Sequence, residues 1–596
     1  MKKMSKWTIL LSSVLALNLY ACQDQGAPES ETAETSQGSE THQGTGMGNH
    51  GEIVVEVTFN GDDIEAIEVL EENEQDSLSD PVFNDLADEI VAQNSTDLDN
   101  VSGASQTSQG LKDAVEEAAE QAGVTLGAGG ASSDQTQSDL EEEYDFDAVV
   151  VGGGGAGFSA AVEAAESGLE VAIVEKMPVM GGNTLISGGE MNVPNNWVQE
   201  DLGIEGDSKE IFVQDTLEGG DHLGDPDMVQ TLADNVLDAA EWLRDDIEVE
   251  FYDDQLFQFG GHSFERALIP EGQSGAEIIE KFEAKAEELG IATFTDTEAK
   301  ELIEEDGRIV GVIAENQGQD VTFNAEKGVI LTTGGFGANV EMRKEANEDY
   351  DDRFGSTNSP GSTGDGITMA QEVGAGLTNM ESIQTYPISN PETGEISLFA
   401  DTRFDGAALV NKEGDRFVEE LERRDVISDA IMEQTGEVAY QVWDSQLNEE
   451  TRNMELHGDE FEKLQDQGFV IEADSLEEAA EFFDLDVDNF METINTINEY
   501  AESGEDPDFN HRAGLAPIEE APFYIQQGAP SVHHTMGGLS TDVDTHVLDE
   551  DGDIIEGLYA AGELTGSTHG SNRLGGNAIA DIIVFGRIAG QQVSQQ

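Results

Sequence analysis

The sequence predicts an α/β fold, in which a Rossmann-like nucleotide-binding domain holds an inserted α+β capping domain and follows a small α+β domain. Three observations indicate this. An apolar run at 146–151 leads into the glycine-rich turn Gly152–Gly157. Further glycine-rich segments occur up to about residue 377 and then again only after 526, which predicts an insertion between 377 and 526. Before residue 124, a hairpin pattern is followed by helical patterns, and 596 residues are too many for one core.

The charge of the chain is strongly negative. It has 127 acidic and 26 basic residues, a formal net charge of −101. Such a chain repels phosphates, which excludes a nucleic-acid partner. Molar salt shortens the Debye length to roughly 3 Å and screens the self-repulsion, so we interpret the surface as adapted to brine. The alternative, a partly disordered acidic protein, fits only 23–47 and 125–144.

The first 21 residues predict an export signal of the lipoprotein type. Three lysines precede the apolar run Trp7–Leu19, which is short for a membrane span. The following Leu19-Tyr20-Ala21-Cys22 resembles a bacterial lipobox, which implies acylation of Cys22 and an extracytoplasmic, membrane-anchored protein; simple cleavage and secretion is the alternative. Cys22 is the only cysteine, which excludes disulfides, cysteine-ligated iron–sulfur clusters and C-x-x-C-H haem attachment.

The segment after the signal predicts a tether and then a small domain. Residues 22–47 are rich in Gln, Glu, Ser, Thr and Gly, which is typical of a flexible tether. In the domain at 48–124, 53–59 and 64–70 predict a β-hairpin, and helices are expected over Val82–Gln93 and Gly110–Ala122.

A short motif between these two helices, Asp99-Asn100-Val101-Ser102-Gly103-Ala104-Ser105, resembles that of small FMN-binding domains in exported electron-transfer proteins. The resemblance implies FMN joined through a phosphoester to the hydroxyl of Ser105, and therefore a flavin transferase as a partner. A dissociable flavin would be lost by dilution outside the cell, so covalent attachment suits an exported protein.

A nucleotide fingerprint follows the linker at 125–144. A strand, a G-x-G-x-x-G turn, a helix and a second strand ending at Glu175 form one unit. This arrangement predicts a dinucleotide on the helix N-terminus, with Glu175 binding the ribose hydroxyls.

The C-terminal segments Ser531–Gly538 and Thr568–Asn577 combine cationic or donor side chains with glycines, and Gly557–Glu563 between them is a short apolar strand that ends in small residues. With the fingerprint, they resemble the FAD-dependent fumarate reductase and urocanate reductase family from about Tyr144 to the C-terminus. The resemblance implies FAD rather than NAD, an FAD-binding domain at 145–377 and 526–596, a capping domain at 378–525 and an FMN-binding domain ahead of them. It assigns the FAD contacts to Gly152, Gly154, Ala156, Gly157, Glu175, Asn183, Thr184, Gly188, Gly189, Asp365, Glu563, Asn577, Ala578 and Ile579.

The same resemblance implies the catalytic residues. Hydride leaves FAD N5, Arg424 of the cap donates the proton with Arg403 as relay partner, and His533 and Arg573 bind the substrate carboxylate. No metal is needed. Taken alone, an arginine in the acidic setting of Arg424 is more often part of a surface ion pair. Arg573 offers a bidentate fork that lysine could not reproduce.

The distal end of the expected substrate pocket departs from the fumarate pattern. Fumarate reductases of this family have His-Pro where this chain has Tyr386-Pro387, and Thr-Glu where it has Ala400-Asp401. Tyr386 with Asp401 resembles the pair that holds the imidazole of urocanate. The expected activity is therefore reduction of the C=C bond of urocanate. The electrons come from a membrane-associated donor and pass through FMN and FAD. Reduction of fumarate or another acrylate-type acid, and an electron-shuttle lipoprotein, are the alternatives.

Overall fold

A computed structural model describes residues 40–47, 52–60, 63–71, 82–87, 90–91, 94–96, 105–122, 124, 141–316, 318–451, 454, 457–511 and 514–596. The chain divides into two compact units, Met1–Ser132 and Ser133–Gln596. The predicted signal peptide, Cys22 and residues 99–104 of the FMN motif lie outside the described residues. In the described part, no helix combines the length and the apolar character needed to cross a bilayer.

In its described part, the first unit contains a three-stranded antiparallel sheet that packs against a helix. Its strands pair in the order β1-β2-β3, and β2 with β3 is the predicted hairpin. Val55 and Val57 of the sheet and Leu111 and Val115 of the helix are fully buried, and they form its core. The elements are β1 Glu40–Met47, β2 Glu52–Asn60, β3 Asp63–Glu71, a π-helical turn Val82–Leu86 and α1 Ser105–Ala122.

Strand β1 corrects the predicted tether. Residues 40–47 pair with β2 along their whole length, so the expectation of a flexible tether to residue 47 is wrong for them. Gly44 and Gly46 suggested flexibility, but they allow close packing instead. A Cβ on either would lie 2.0 Å from a backbone oxygen of α1, that of Ala114 or Gly110. The helix expected over 82–93 is described only in part.

The second unit begins with the nucleotide-binding domain. Its first segment contains β4 Glu143–Val151, α2 Gly155–Glu166, β5 Val171–Val174, α3 Gly182–Leu185, β6 Met191–Asn192, α4 Trp197–Leu202, α5 Lys209–Gly219, α6 Pro226–Asp245, β7 Ala267–Leu268, α7 Gly275–Leu289, β8 Ala292–Phe294, β9 Thr297–Glu305, β10 Arg308–Asn316, β11 Gln319–Leu331, α8 Val340–Ala346, β12 Gly355–Ser356, α9 Asp365–Glu372 and β13 Leu377–Thr378.

The inserted cap is an α+β segment, as predicted. It contains β14 Ile383–Ser389, a 3₁₀-helix Leu398–Asp405, β15 Ala408–Val410, α10 Arg424–Met432, β16 Ala439–Asp444, α11 Ser445–Thr451, α12 Gly458–Asp466, β17 Val470–Ala473, α13 Leu476–Phe482 and α14 Val487–Ser503. The chain then returns through β18 Phe523–Thr535, β19 Gly538–Leu539, β20 His546–Leu548, β21 Ile554–Ala560 and α15 Asn577–Ser594.

An eight-stranded sheet forms the centre of the nucleotide-binding domain. Strands β21, β11, β4, β5 and β8 are parallel neighbours, and β20, β10 and β9 add antiparallel pairs at the side. Strands β4, β5, β11 and β21 are buried toward their carboxyl ends, because helices cover one face of the sheet and strands β9 and β10 pack on the other. Their carboxyl ends lie at one edge, which is where open α/β sheets bind nucleotides.

Strand β18 joins the cap to the nucleotide-binding domain. Its first half pairs with β16 and β17 of the cap, while its second half pairs with β14 and with β12. His533 lies near the end of this strand. Tyr386 on β14 is paired with Ser531, so the strand register brings Tyr386 and His533 close together.

Candidate active site

The cofactor cleft lies at the carboxyl ends of β4, β5, β11 and β21, and its space, part of which is open to solvent, is about 810 Å³. Gly154 precedes α2 and has no side chain to cap it, and the N–H of Gly155 donates to the Thr184 hydroxyl at 3.2 Å. A helix N-terminus at the edge of a cleft suits a phosphate. Glu175 accepts hydrogen bonds from the backbone N–H groups of Gly153 and Met177, each at 2.8 Å, which hold its carboxylate at the cleft. This donor and acceptor set fits FAD.

Eight of the fourteen predicted FAD contacts line this cleft: Gly152, Gly154, Ala156, Glu175, Asn183, Thr184, Asp365 and Glu563. The other six, which are Gly157, Gly188, Gly189, Asn577, Ala578 and Ile579, are not among its lining residues. Gly157 packs α2 against the sheet, because a Cβ there would lie 2.0 Å from the Gly152 carbonyl oxygen. The side chain of Asn577 bonds to Asn192 and Thr216. A direct FAD contact by these six residues stays a prediction.

Two pairs of side chains bridge segments that are distant in sequence across the cleft. The amide of Asn183 donates to Glu563 at 3.1 Å, and Glu563 also accepts from the backbone N–H of Thr535 at 3.0 Å. Burial raises the pKa of Glu563. Lys176, which sequence reasoning missed, forms an ion pair with Asp365.

The Tyr386 ring is the centre of the candidate substrate site. The ring centroid lies 5.1 Å from the Arg424 guanidinium carbon, 5.6 Å from that of Arg403, and 5.4 Å from the His533 ring centroid. The Tyr386 hydroxyl donates to the Ser397 carbonyl oxygen at 3.0 Å. Four predicted site residues therefore come together, although they are carried by four different elements.

The carboxylate clamp is deeply buried and positively charged. Burial, with the charges of Arg424 and Arg573, lowers the pKa of His533 well below its usual value. Its Nδ1 lies 2.7 Å from the Thr357 hydroxyl, a hydrogen bond that holds the orientation of the imidazole ring. Burial and the neighbouring Arg424 lower the pKa of Arg573 to about 9. A bound carboxylate would relieve this repulsion, so the site is suited to an anion.

Gln384 is a site residue that sequence reasoning missed. Its Oε1 accepts from Arg573 Nη2 at 3.1 Å, while its Nε2 donates to the Arg573 carbonyl oxygen and to Asn572 Oδ1, each at 2.7 Å. Gln384 therefore holds both ends of Arg573. Gln384 lies two residues before Tyr386 on β14, and this spacing places both side chains on one face of the strand. The spacing could have indicated from the sequence that Gln384 belongs to the site.

Two other predicted residues are described only through their backbones. Ser105 is the first residue of α1. Asp401 lies in the 3₁₀-helix that also carries Arg403, but its side chain is outside the described part.

A buried acid lies behind the clamp. The Asp581 carboxylate is buried on α15, and its Oδ1 lies 3.6 Å from Nε2 of His569. Burial raises the pKa of Asp581 to about 7 and lowers that of His569 to about 3. The folded state therefore keeps the Asp581 proton to a higher pH than the unfolded chain, where the pKa is about 3.9.

We expect Asp581→Asn to remove a pH-dependent loss of stability. The contribution of Asp581 to the free energy of unfolding is complete below about pH 4, where the carboxyl is protonated in both states. This contribution is lost as the pH rises to about 7. At about pH 8 the variant should be the more stable, by up to about 4 kcal/mol at ~1.4 kcal/mol per pKa unit, and near pH 4 the two should be equal. Thermal melting at both pH values tests this; a difference that is independent of pH would contradict it.

Comparison with known proteins agrees with this geometry. An FAD binding domain family matches residues 147–579, and an FMN-binding domain family matches 48–120. The chain is 41% identical to a urocanate reductase of Eggerthella lenta over 96% of this chain and 95% of that protein. It is 32% identical to an NADH:acrylate oxidoreductase of Vibrio harveyi, over 99% of this chain and 64% of that protein. The structure of the open conformation of a flavocytochrome c3 fumarate reductase matches with a TM-score of 0.67 and 35% identity, over 77% of this chain and 79% of that one.

Proposed function

The chain belongs to the family of flavin-dependent reductases that act on the C=C bond of enoic acids, and we propose that within this family it reduces urocanate to dihydrourocanate. It is an FAD-dependent oxidoreductase with an additional FMN-binding domain. The finer assignment rests on the distal end of the site. The relatives that act on acrylate and fumarate support the broader class equally well.

The surroundings of Tyr386 carry the proposal for urocanate. A phenol ring 1% exposed occupies the position at which fumarate reductases have a histidine, and two guanidinium groups and an imidazole surround it. A phenol cannot supply the positive charge that a second carboxylate needs, but an imidazole ring can stack on it or hydrogen-bond to it. The 41% identical urocanate reductase supports the same choice.

The roles that we propose for the side chains follow from their positions. Arg573 and His533 bind the carboxylate and withdraw charge from the double bond as it is reduced. Arg424 holds a proton at the carbon that does not receive hydride, and Arg403 returns the proton to it. The bound FAD supplies the hydride, while the cap excludes water from the reacting carbons.

A substrate panel tests the proposed function. With one reduced dye as electron donor, kcat/KM for urocanate should exceed that for fumarate and acrylate. Faster reduction of fumarate would remove the urocanate assignment and leave an enoate reductase. FMN oxidation and reduction without turnover of any enoic acid would favour an electron-shuttle lipoprotein instead.

Covalent FMN on Ser105, added by a flavin transferase, is a further part of the proposal. Ser105 begins α1, and the FMN-binding family match covers its position. Protein made with the transferase should keep one FMN after denaturation and release one FAD, as intact mass and released-flavin analysis would record. Ser105→Ala should carry no covalent FMN, whereas Ser105→Thr keeps a hydroxyl and should retain it. Covalent FMN in the alanine variant would rule out this attachment site.

We also propose an extracytoplasmic location, with Cys22 lipidated and electrons supplied by a membrane-associated donor. The lysine-led apolar segment and the lipobox-like residues before Cys22 support this proposal. Mass spectrometry of the processed N-terminus would distinguish a diacylglyceryl cysteine from simple cleavage.

Adaptation to brine is proposed from the net charge of −101. Screening of the self-repulsion should stabilise the compact state, so the melting temperature should rise steeply between dilute buffer and molar NaCl or KCl. A thermal melt in a salt series measures this directly. A melting temperature that is flat or falls with salt would contradict it.

A further inference from the structure

Arg423 connects the cap to the nucleotide-binding domain. It is the residue before α10, and its Nη1 donates to both carboxylate oxygens of Asp221, at 3.0 and 3.1 Å. Asp221 follows α5, in the nucleotide-binding domain, and is separated from Arg423 by 202 residues. Its second oxygen also accepts from the Ser571 hydroxyl at 2.5 Å.

The Asp221 turn is part of the same body as the loop that carries Arg573. The backbone N–H of Ser571 donates to the Gly220 carbonyl oxygen at 3.1 Å, and the amide of Asn572 donates to that of Gly219 at 3.0 Å. Asp221 and the next residue, His222, have φ angles of 54° and 57°, a left-handed conformation that non-glycine residues seldom adopt. Such strained backbone persists where its surroundings hold it in place, and it often marks a functional segment.

The cap side of the contact is also held in one orientation. Asp425 accepts two hydrogen bonds from Arg423, from Nε at 3.1 Å and from Nη2 at 2.9 Å. These bonds use the other edge of the guanidinium and direct Nη1 toward Asp221. The Ser571 hydrogen bond, followed by the charge of Arg423, lowers the pKa of Asp221, so the carboxylate stays charged at neutral pH.

The residues of this contact are close in sequence to two proposed site residues. Arg423 directly precedes Arg424, the proposed proton donor, and Ser571 lies two residues before Arg573, the proposed carboxylate ligand. Fixing Arg423 to Asp221 and Ser571 therefore fixes the donor relative to the carboxylate. A displacement of about 1 Å between such groups is enough to slow a reaction strongly.

We propose that Arg423, Asp221 and Ser571 form a cap latch, which holds the cap closed over the substrate and sets the spacing between Arg424 and Arg573. The latch rests on the proposed roles of these two arginines. Its members are positioning residues and do not touch the reacting atoms. Arg423 and Asp221 keep 36% and 52% of their side chains exposed, so the pair is weak enough to break whenever substrate enters or product leaves.

The test compares Asp221→Asn, Arg423→Gln, the double variant and Arg423→Lys in the flavin-loaded protein. Each of the first two should lower kcat about tenfold, with a smaller change in KM and an unchanged melting temperature. The double variant should be no slower than either single variant, because both break the same contact. Arg423→Lys keeps the charge and should recover part of the rate. Lys463→Gln, which breaks an ion pair to Glu395 within the cap, is the matched control and should turn over like the wild type.

A second readout does not depend on the substrate. Amide hydrogen exchange of α10, residues 424–432, should become faster in Asp221→Asn and Arg423→Gln and stay unchanged in Lys463→Gln. The latch would be overturned if the two latch variants kept both the wild-type exchange rate of α10 and the wild-type kcat. It would also be overturned if the losses of kcat in the two single variants multiplied in the double variant. A wild type that reduces no enoic acid would refute the proposed function, while the exchange comparison would still decide whether the latch exists.

Discussion

Replacing Arg424 by alanine should reduce kcat for every enoic acid by about a thousandfold or more. A positioned general acid contributes about 10²–10⁴ to a rate, and the variant leaves no donor at the second carbon. The Arg424 guanidinium is the closer of the two that approach the Tyr386 ring, at 5.1 Å, and Arg403 at 5.6 Å is bonded to the Ala400 carbonyl oxygen. Steady-state rates with a reduced dye, normalised to bound FAD, measure the effect.

Two variants separate proton donation from charge at this position. Arg424→Lys keeps a cation and a proton, so it should recover more activity than the alanine variant. Arg573→Ala, by contrast, should raise KM strongly, because it removes the bidentate carboxylate ligand. An Arg424→Ala enzyme that keeps more than about a tenth of wild-type kcat would mean that another group is the donor.

Discrimination between urocanate and fumarate should be about a thousandfold in kcat/KM. A second carboxylate about 4 Å from a charged Asp401 would cost roughly 4 kcal/mol at an effective dielectric near 20, which corresponds to about three powers of ten. Asp401→Ala should lower urocanate turnover and reduce this discrimination while FAD stays bound.

The reciprocal change is Tyr386→His, which restores the residue that fumarate reductases have. This variant should gain activity toward fumarate and lose it toward urocanate, because it supplies a donor that can be cationic beside the distal carboxylate. Tyr386→Phe is the matched control, since it keeps the ring and removes only the hydroxyl that donates to Ser397. Unchanged substrate preference in both Asp401→Ala and Tyr386→His would mean that specificity is determined elsewhere in the site.

The parts of the fold that depend on local pattern could be predicted from the sequence. The strand, turn and helix of the fingerprint, and the acid at the end of the next strand, lie within one continuous segment, and the structure confirms their arrangement. Strand β1 was missed because its glycines and polar residues indicate a linker. The two glycines allow close packing against α1, and this role becomes visible only in the folded structure, where the helix lies against the strand.

The supporting residues of the site could not be predicted in the same way. Gln384 meets Arg573 across 189 residues, and Asp221 meets Arg423 across 202. A hydrogen bond between such distant positions leaves no periodicity in the sequence. Motif resemblance supplied Arg424, Arg403 and His533, but the closeness of His533 to the Tyr386 ring depends on the register of β14 and β18.

Strand β18 also limits how the cap can open. A flexible linker would let the cap swing freely, but the 13 consecutive residues of β18 are bonded to the cap strands β16, β17 and β14 and, near the far end, to β12 of the nucleotide-binding domain. We therefore expect any opening at this junction to twist or bend a continuous strand, which would favour the return of the cap to one orientation. His533 lies near the far end of this strand, and α10, which begins with Arg424, packs against both β14 and β18, so the two side chains are joined through one sheet.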